Sequence, residues 1–334
     1  MNELVTVVIP TRDRLALLRR TLASVLAQVE VDFEVVIVDD GSSPQQAREV
    51  MALAGENVRV VTHPRSLGVA VARNRGVGEA RGRWVAFLDD DDIWASRKLR
   101  AQLDAAEAAG VHWSYTGAVK FVEGPVVWQV MPPPTPERVA AMLASKCLVP
   151  AGASNVLADR ATVMRLGGFD ETLMHMADWD LWLRLLEAGP PASADGVAVG
   201  YRLHPAAMSL DPRGILRELE VIDRRWRHLR GGRELDAGPT HLWIGTSWLR
   251  AGHRGRAAAS YLRAARTRPR QGLRGAARTL YPPVPGPARD PLTRAWPEGG
   301  ATDGQVAFVG ADELDAALRI WGAPDPGAQR EAVR

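Results

Sequence analysis

Cysteine is almost absent from this chain of 334 residues: Cys147 stands alone. No intramolecular disulfide can form, and no zinc site can be built on cysteine pairs. Such a lone cysteine is expected as a small buried hydrophobe. Lysine is nearly missing as well. It occurs only at Lys98, Lys120 and Lys146, so 42 less 3, or 39, of the basic residues are arginine. No run approaches the ~18 consecutive apolar residues of a membrane span. The chain opens Met-Asn-Glu and enters a β-branched run at once, without a basic-then-apolar leader. These absences set the expectation of a reducing, cytoplasmic setting. The longest stretch without acid lies between Asp236 and Asp290, and within it 250–278 holds nine arginines.

What is present is ordinary in bulk. A composition 46% hydrophobic and 24% charged suits a globular protein, and the length suggests about two domains. Short β-branched runs at 5–9, 33–38, 58–61 and 84–88 read as buried strands, with helical spacing between them at 15–28, 45–53 and 70–80. Strand alternating with helix argues for an α/β fold, a mostly parallel sheet flanked by helices. The middle adds strand-like runs at 111–115, 118–122, 126–130 and 197–203, and helical spacing at 137–144 and 178–187. Beyond about 211 the pattern is helical to 278, and 281–300 is dense in proline and glycine, a linker by composition. Runs at 306–309 and 312–321 suggest a small strand–helix cap.

In parallel sheets ligands bind beyond the carboxyl ends of the strands. Polar clusters stand there: Pro10-Thr11-Arg12-Asp13, Asp39-Asp40-Gly41-Ser42-Ser43 and Asp89-Asp90-Asp91-Asp92. Four adjacent carboxylates repel one another. A divalent cation would reverse that sign, and Mg2+ or Mn2+ takes one or two protein carboxylates with phosphate and water for the rest. A solvated turn capping the next helix is the alternative. A carboxylate such as Asp39 can accept from a base or ribose, and Ser43 before Pro44 can cap a helix. Arg73, on the third helix, suits a diphosphate because its fork is always charged and bidentate.

Together these segments resemble the family 2 glycosyltransferases, which have the GT-A nucleotide-diphospho-sugar fold. The matching stretches are VVIPTRDR (7–14), VVIVDDGSS (35–43), LGVAVARNRG (67–76), AFLDDDDIW (86–94), GGFDE (167–171), ADWDLWLRL (177–185) and YRLH with Ser209 (201–209). The resemblance implies a GT-A catalytic domain over 1–211, its nucleotide-sugar half at about 1–110 and its acceptor half at about 111–211. A helical region at 212–280 and a linker with terminal cap at 281–334 follow.

The same resemblance implies the site. Thr11 and Asp39 would bind the nucleoside, with Pro10, Arg12 and Asp90 beside them and Arg73 near base and phosphates. Asp89 and Asp91 look like the outer residues of the DXD motif, Asp89 toward the ribose and Asp91 on a Mn2+ or Mg2+ ion that His204 helps to hold. Asp178 stands in the place of the catalytic base, with Gly168, Trp179 and Asp180 on the acceptor side. The family commonly has Glu-Asp where this chain has Ala177-Asp178, and Asp180, two residues on, should point elsewhere on a helix. Trp179 and Trp182 read as core and acceptor wall.

The implied reaction is metal-dependent and inverting, moving a sugar from a UDP, dTDP or GDP donor to a saccharide, lipid-linked or small-molecule hydroxyl. A nucleotide-sugar-binding protein without transfer activity is the other reading, motivated by Ala177. A dinucleotide oxidoreductase does not fit, since residues 9–12 contain no Gly-rich phosphate turn. In the C-terminal third, 238–271 resembles one tetratricopeptide repeat, a unit too small to bury its own face, which leaves packing on the rest of the chain or a homodimer. The arginine-rich stretch suits peripheral contact with an anionic membrane at its inner face and, given the catalytic motifs, no nucleic acid.

Overall fold

The computed structural model describes residues 4–122, 126–202, 211–250 and 252–280. Among these there are two compact units, one of 4–141 with 148–202 and one of 142–147 with 211–280.

The first unit is built on strands β1 (Val5–Thr11), β2 (Phe33–Asp39), β3 (Val58–Thr62) and β4 (Trp84–Phe87), joined through helices α1 (Leu15–Leu26), α2 (Pro44–Met51) and α3 (Val69–Glu79). All seven residues of β1 are buried, as a strand covered on both faces requires. Leu15, Leu18, Leu22 and Val25 form the buried stripe of α1 and join Val7, Ile9, Val35 and Ile37 in one apolar cluster. The four strands run parallel in the order β3-β2-β1-β4. Their register places Thr11 beside Asp39 and Asp39 beside Thr62, so the polar residues that end β1 and β2 stand side by side.

The other half of the sheet is mixed. It holds β5 (Ile93–Trp94), β6 (Trp113–Val122), β7 (Val126–Met131), β8 (Leu157–Asp159) and β9 (Ala192–Arg202). The order continues β4-β8-β6-β9-β5, with β7 paired to β6; β6 and β9 are parallel and the remaining pairs antiparallel. Four strand steps separate β4 from β5 in the sheet, about 19 Å if flat. The five intervening residues contain a turn, Asp92 N–H donating to Asp89 O at 3.2 Å, and could not bridge that distance. The sheet therefore curls, and the curl sets the acidic turn across its mouth. Helices α4 (Lys98–Ala109), α5 (Pro136–Met142), α6 (Arg160–Arg165) and α7 (Ala177–Ala188) complete this unit. Because β5 intervenes, the four aspartates do not cap α4, which starts at Lys98 behind an Arg97 without a side-chain capping bond.

The second unit is helical: α8 (Pro212–Trp226), a 3-10 turn at Arg227–Arg230, α9 (Gly238–Arg250), α10 (Arg254–Ala264) and α11 (Pro269–Arg278). Its polar anchor is Asp223, which accepts from Arg230 Nη2 and Leu235 N–H, each at 2.6 Å, and pairs with Arg227. Buried Arg230 also donates to Ala144 O at 2.7 Å. Tyr261 of α10 fills the space beside Gly245 of α9 and bonds Thr246 at 3.0 Å. Cys147 is partly exposed rather than buried, since it lies in the irregular segment after α5 and not on a core face. Residues 203–210 and 281–334, which contain His204, Ser209, the linker and the terminal cap, lie outside the described residues.

Candidate active site

Parallel strands end level, so their last residues form a shelf. Asp39 accepts the Ser42 N–H at 3.1 Å, which shapes the turn after β2. Its neighbour Asp40 ties that turn to the loop before α3, accepting from Ser66 Oγ at 2.7 Å and from the N–H groups of Leu67 and Gly68 at 2.9 Å, with His63 Nδ1 at 2.8 Å. Burial by itself would raise the Asp40 carboxyl; the bonds from His63, Leu67, Ser66 and Gly68 outweigh it and hold the pKa below the usual value. The helix that follows carries Arg73 inward, only 6% exposed. After β1, Ser43 N–H donates to Asp13 Oδ1 at 2.8 Å and Asp13 N–H to Ser42 Oγ at 2.9 Å. Ser43 precedes α2 without a side-chain cap bond.

The acidic turn closes the shelf, and its four carboxylates have four different surroundings. Asp89 pairs with Arg73. Asp90 accepts from Thr11 Oγ1 at 2.7 Å and faces Arg14 at 3.3 Å. Burial, then the adjacent Asp91 charge, pushes its pKa up to about 7 against the pull of Thr11 and Arg14. Asp91 lies 3.0 Å from the same Arg14. Asp92 is wholly buried and accepts from Ser154 Oγ and from Arg202 N–H at 2.9 Å, while Arg202 Nε donates to Asp91 O at 2.9 Å. Burial first, and the charges of Asp91 and Asp89, hold its carboxyl well above the usual range. Ser154 in turn accepts the Asp89 N–H at 3.1 Å. Asp92 thus fastens the turn to the 3-10 segment Gly152–Asn155 and to the end of β9.

Asp178 enters from the first turn of α7. Its Oδ1 accepts the Trp179 N–H at 2.7 Å. A Cβ on Gly152, whose φ is +51°, would stand 2.6 Å from Asp178 Oδ2, so only glycine leaves the carboxylate its place. Burial raises the Asp178 pKa; the nearby Arg73 charge and the Trp179 amide pull it down, and Asp89 pushes it up again. Arg73 therefore acts electrostatically on Asp178 while it pairs with Asp89, and its guanidinium lies over the Phe169 ring at 5.2 Å. Phe169 is set by Asn74, which accepts its N–H at 2.7 Å and donates to its carbonyl at 2.9 Å. Gly168, at φ +69°, leaves room for that same Asn74.

Thr11 thus contacts Asp90 and Arg73 contacts Asp89, on the one turn that also carries Asp91, with Asp39 beside Thr11 in the sheet. Pro10 precedes Thr11 within buried β1. Arg12, just past β1, has its side chain 58% exposed and 4.0 Å from Asp13. Trp179 is buried, and Trp182 packs among Phe87, Trp113 and Phe169. Asp180 is fully buried and pairs with Arg184 at 2.9 Å, one turn on. Sequence reading passed over Arg14, Asp92 and Ser154. The first two lay inside quoted motifs, but nothing local distinguishes Asp92 from its three neighbours or points Arg14 at them.

Among the described residues no group of three His, Cys, Asp or Glu is arranged to hold a metal. The donor set of the acidic turn is all oxygen, which suits Mg2+ or Mn2+. Two carboxylates, Asp89 and Asp91, keep partial exposure, as many as such an ion takes from protein when phosphate oxygens complete its shell.

Residues 6–146 match the family described as glycosyl transferase family 2. The chain is 27% identical to the Escherichia coli UDP-Glc:alpha-D-GlcNAc-diphosphoundecaprenol beta-1,3-glucosyltransferase WfgD, over 67% of this chain and 85% of that one. It is 41% identical to the succinoglycan biosynthesis protein ExoO of Rhizobium meliloti over 32% of this chain and 30% of that one. Among solved structures it is similar to S. aureus TarS 1-349, with a TM-score of 0.51, 18% identity, and coverage of 82% of this chain and 89% of that one. The curled α/β sheet is that of the GT-A fold.

Proposed function

The chain carries a family 2 glycosyltransferase domain, and from that premise we propose a transfer that proceeds by a single in-line displacement with Asp178 as general base. The observation that carries this reading is the meeting of Asp89, Arg73 and Asp178, drawn from three separate segments, in one electrostatic group. The donor is a nucleoside-diphosphate sugar, with UDP favoured because the similar WfgD is a UDP-Glc-dependent glucosyltransferase. Asp39 accepts from the base, and Thr11, Pro10, Arg12 and Asp90 line the nucleoside. Asp89 faces the ribose and Arg73 the phosphates.

Asp91 would hold Mn2+ or Mg2+ together with His204, which lies outside the described residues. When bound, such an ion neutralises charge gathering on the departing diphosphate. On the opposite face of the sugar, Asp178 removes the proton of the attacking hydroxyl, and attack from that face inverts the anomeric centre. Gly168 and Trp179 shape the acceptor side. Asp180, on the acceptor side, is buried and paired with Arg184, one turn on, and so supports α7. The acceptor of that relative is lipid-linked, and a lipid-linked saccharide is the class proposed here.

The test is release of nucleoside diphosphate from UDP-sugars with Mn2+ and a polyprenyl-diphosphate saccharide. Asp178→Asn should lower turnover by about 10²- to 10⁴-fold while donor affinity holds. Undiminished turnover in that variant would remove the base assignment.

A further inference from the structure

An ordinary surface helix buries its large apolar side chains and presents polar ones. Helix α11 does the reverse. Its buried residues are Gly272 and Gly275. A Cβ on Gly272 would come within 2.4 Å of the Ala265 backbone nitrogen, and one on Gly275 within 2.3 Å of the Tyr261 ring, so glycine is what lets α11 lie this close to α10. The large apolar residues face outward. Leu273 is 57% exposed, and Leu280, just past the helix end, is 80% exposed. Two turns apart, they share one side of the helix with Ala277 between them. Beside that stripe runs a second, Arg270, Arg274 and Arg278 at four-residue spacing, all exposed.

Nothing within the described residues balances that second stripe. None of the three arginines forms an ion pair there, and Asp236 is engaged by Arg268 at 2.9 Å. Like charges four apart weaken a helix in water. On α10 and just after it, Arg263 and Arg266 add to the field: after burial itself, their charges push the His241 ring to a lower pKa. The face is therefore apolar along one line, cationic along the next, and without carboxylates among the described residues of α11.

We propose that the outward face of α11 docks on an anionic lipid surface, its leucines entering the headgroup boundary and its arginines meeting lipid phosphates. Charge complementarity and exposed leucines point to the same occupant. A nucleic acid would satisfy the arginines but not the leucines, and among the described residues α11 carries no aromatic ring for a base to stack on. A second copy of the chain would set two arginine stripes against each other across a two-fold axis. The proposal does not depend on the transfer chemistry, and it suits an acceptor carried on a lipid.

Vesicle sedimentation of the full chain tests it, with phosphatidylglycerol–phosphatidylcholine vesicles against pure phosphatidylcholine. Binding is expected to the anionic vesicles only, and to disappear at high salt. Replacing Arg270, Arg274 and Arg278 together by Gln should weaken it by about a hundredfold. The double variant Leu273→Gln, Leu280→Gln should weaken it by about tenfold. Both variants keep the wild-type unfolding temperature, because every substituted side chain is exposed. Equal binding to both vesicle types, no binding to either, wild-type binding by the arginine variant, or tighter binding to single-stranded RNA than to the vesicles would each overturn the proposal.

Discussion

At the scale of single residues, burial decides how charge behaves in this protein. Asp178 has its pKa raised by burial in spite of Arg73. A base is lost as pH falls through its pKa, so the acid limb of the transfer rate should lie above the range near 4 of an ordinary carboxylate. Removing the Arg73 charge should move that limb higher still in whatever activity Arg73→Gln retains; a pH–rate profile reads both. Lys98 is the opposite case. It is fully buried, its amine stands 3.7 Å from the centre of the Trp94 ring, and its Nζ has no hydrogen-bond partner. Burial pushes its pKa well below the usual value. A depressed lysine pKa means that the folded state holds fewer protons than the unfolded one, so its contribution to stability falls as pH falls. Lys98→Met should therefore stabilise the fold at pH 7 by about 1 to 3 kcal/mol, with a larger gain in acid. Thermal unfolding at two pH values checks this; a lower midpoint at pH 7 would mean that the Trp94 face stabilises a charged amine.

At the scale of elements, the site depends on turns held by carboxylates. Asp40 fixes the loop from which α3 starts, and α3 carries Arg73 and Asn74. Asp40→Asn keeps the size but turns one acceptor atom into a donor aimed at existing donors. It should cost about 2 to 4 kcal/mol and lower affinity for a nucleoside diphosphate, as measured by denaturant unfolding and titration calorimetry. Unchanged stability would show that the loop is held by other contacts. The strands β1, β2 and β4 were legible in their β-branched runs, because nearly every residue in them is buried and most must be apolar; β3, at the sheet edge and only partly buried, shows the same run with Arg59 inside it. The ends of β9 were harder. It spans Ala192–Arg202, while only 197–203 reads as strand, since Asp195 and Gly196 interrupt the pattern where β9 slips in register against β6. Helical spacing turned Asp180 away from Asp178 but named no partner for it; the structure pairs it with Arg184, one turn on.

At the scale of the whole molecule, a folded site that binds a ligand stabilises the chain by mass action. UDP with Mn2+ at about a hundred times its dissociation constant should add about 2.7 kcal/mol, read as a rise in the unfolding midpoint of about 4 °C for a chain of this length. No shift with any of UDP, dTDP or GDP, with or without metal, would count against the donor site. The net charge of +3 is an average over unlike regions: a first unit whose acidic turn gathers four aspartates, and a second whose last helices contain arginine and no acid.

The sequence by itself determined the α/β class, the level polar ends of the first strands and the family to which their motifs point, because those depend on periodicity and on residue type at strand ends. Tertiary structure alone decided how the acidic turn is used. Arg14, Ser154 and Arg202 reach it from three other segments, and four identical carboxylates divide into two that stay partly exposed, Asp89 and Asp91, and two that are buried, Asp90 and Asp92, a distinction that depends on solvent and neighbours. The face of α11 was likewise decided in three dimensions. Its glycines are inward because Tyr261 and Ala265 leave no room for a Cβ, and that close approach is what turns Leu273 and the arginines outward.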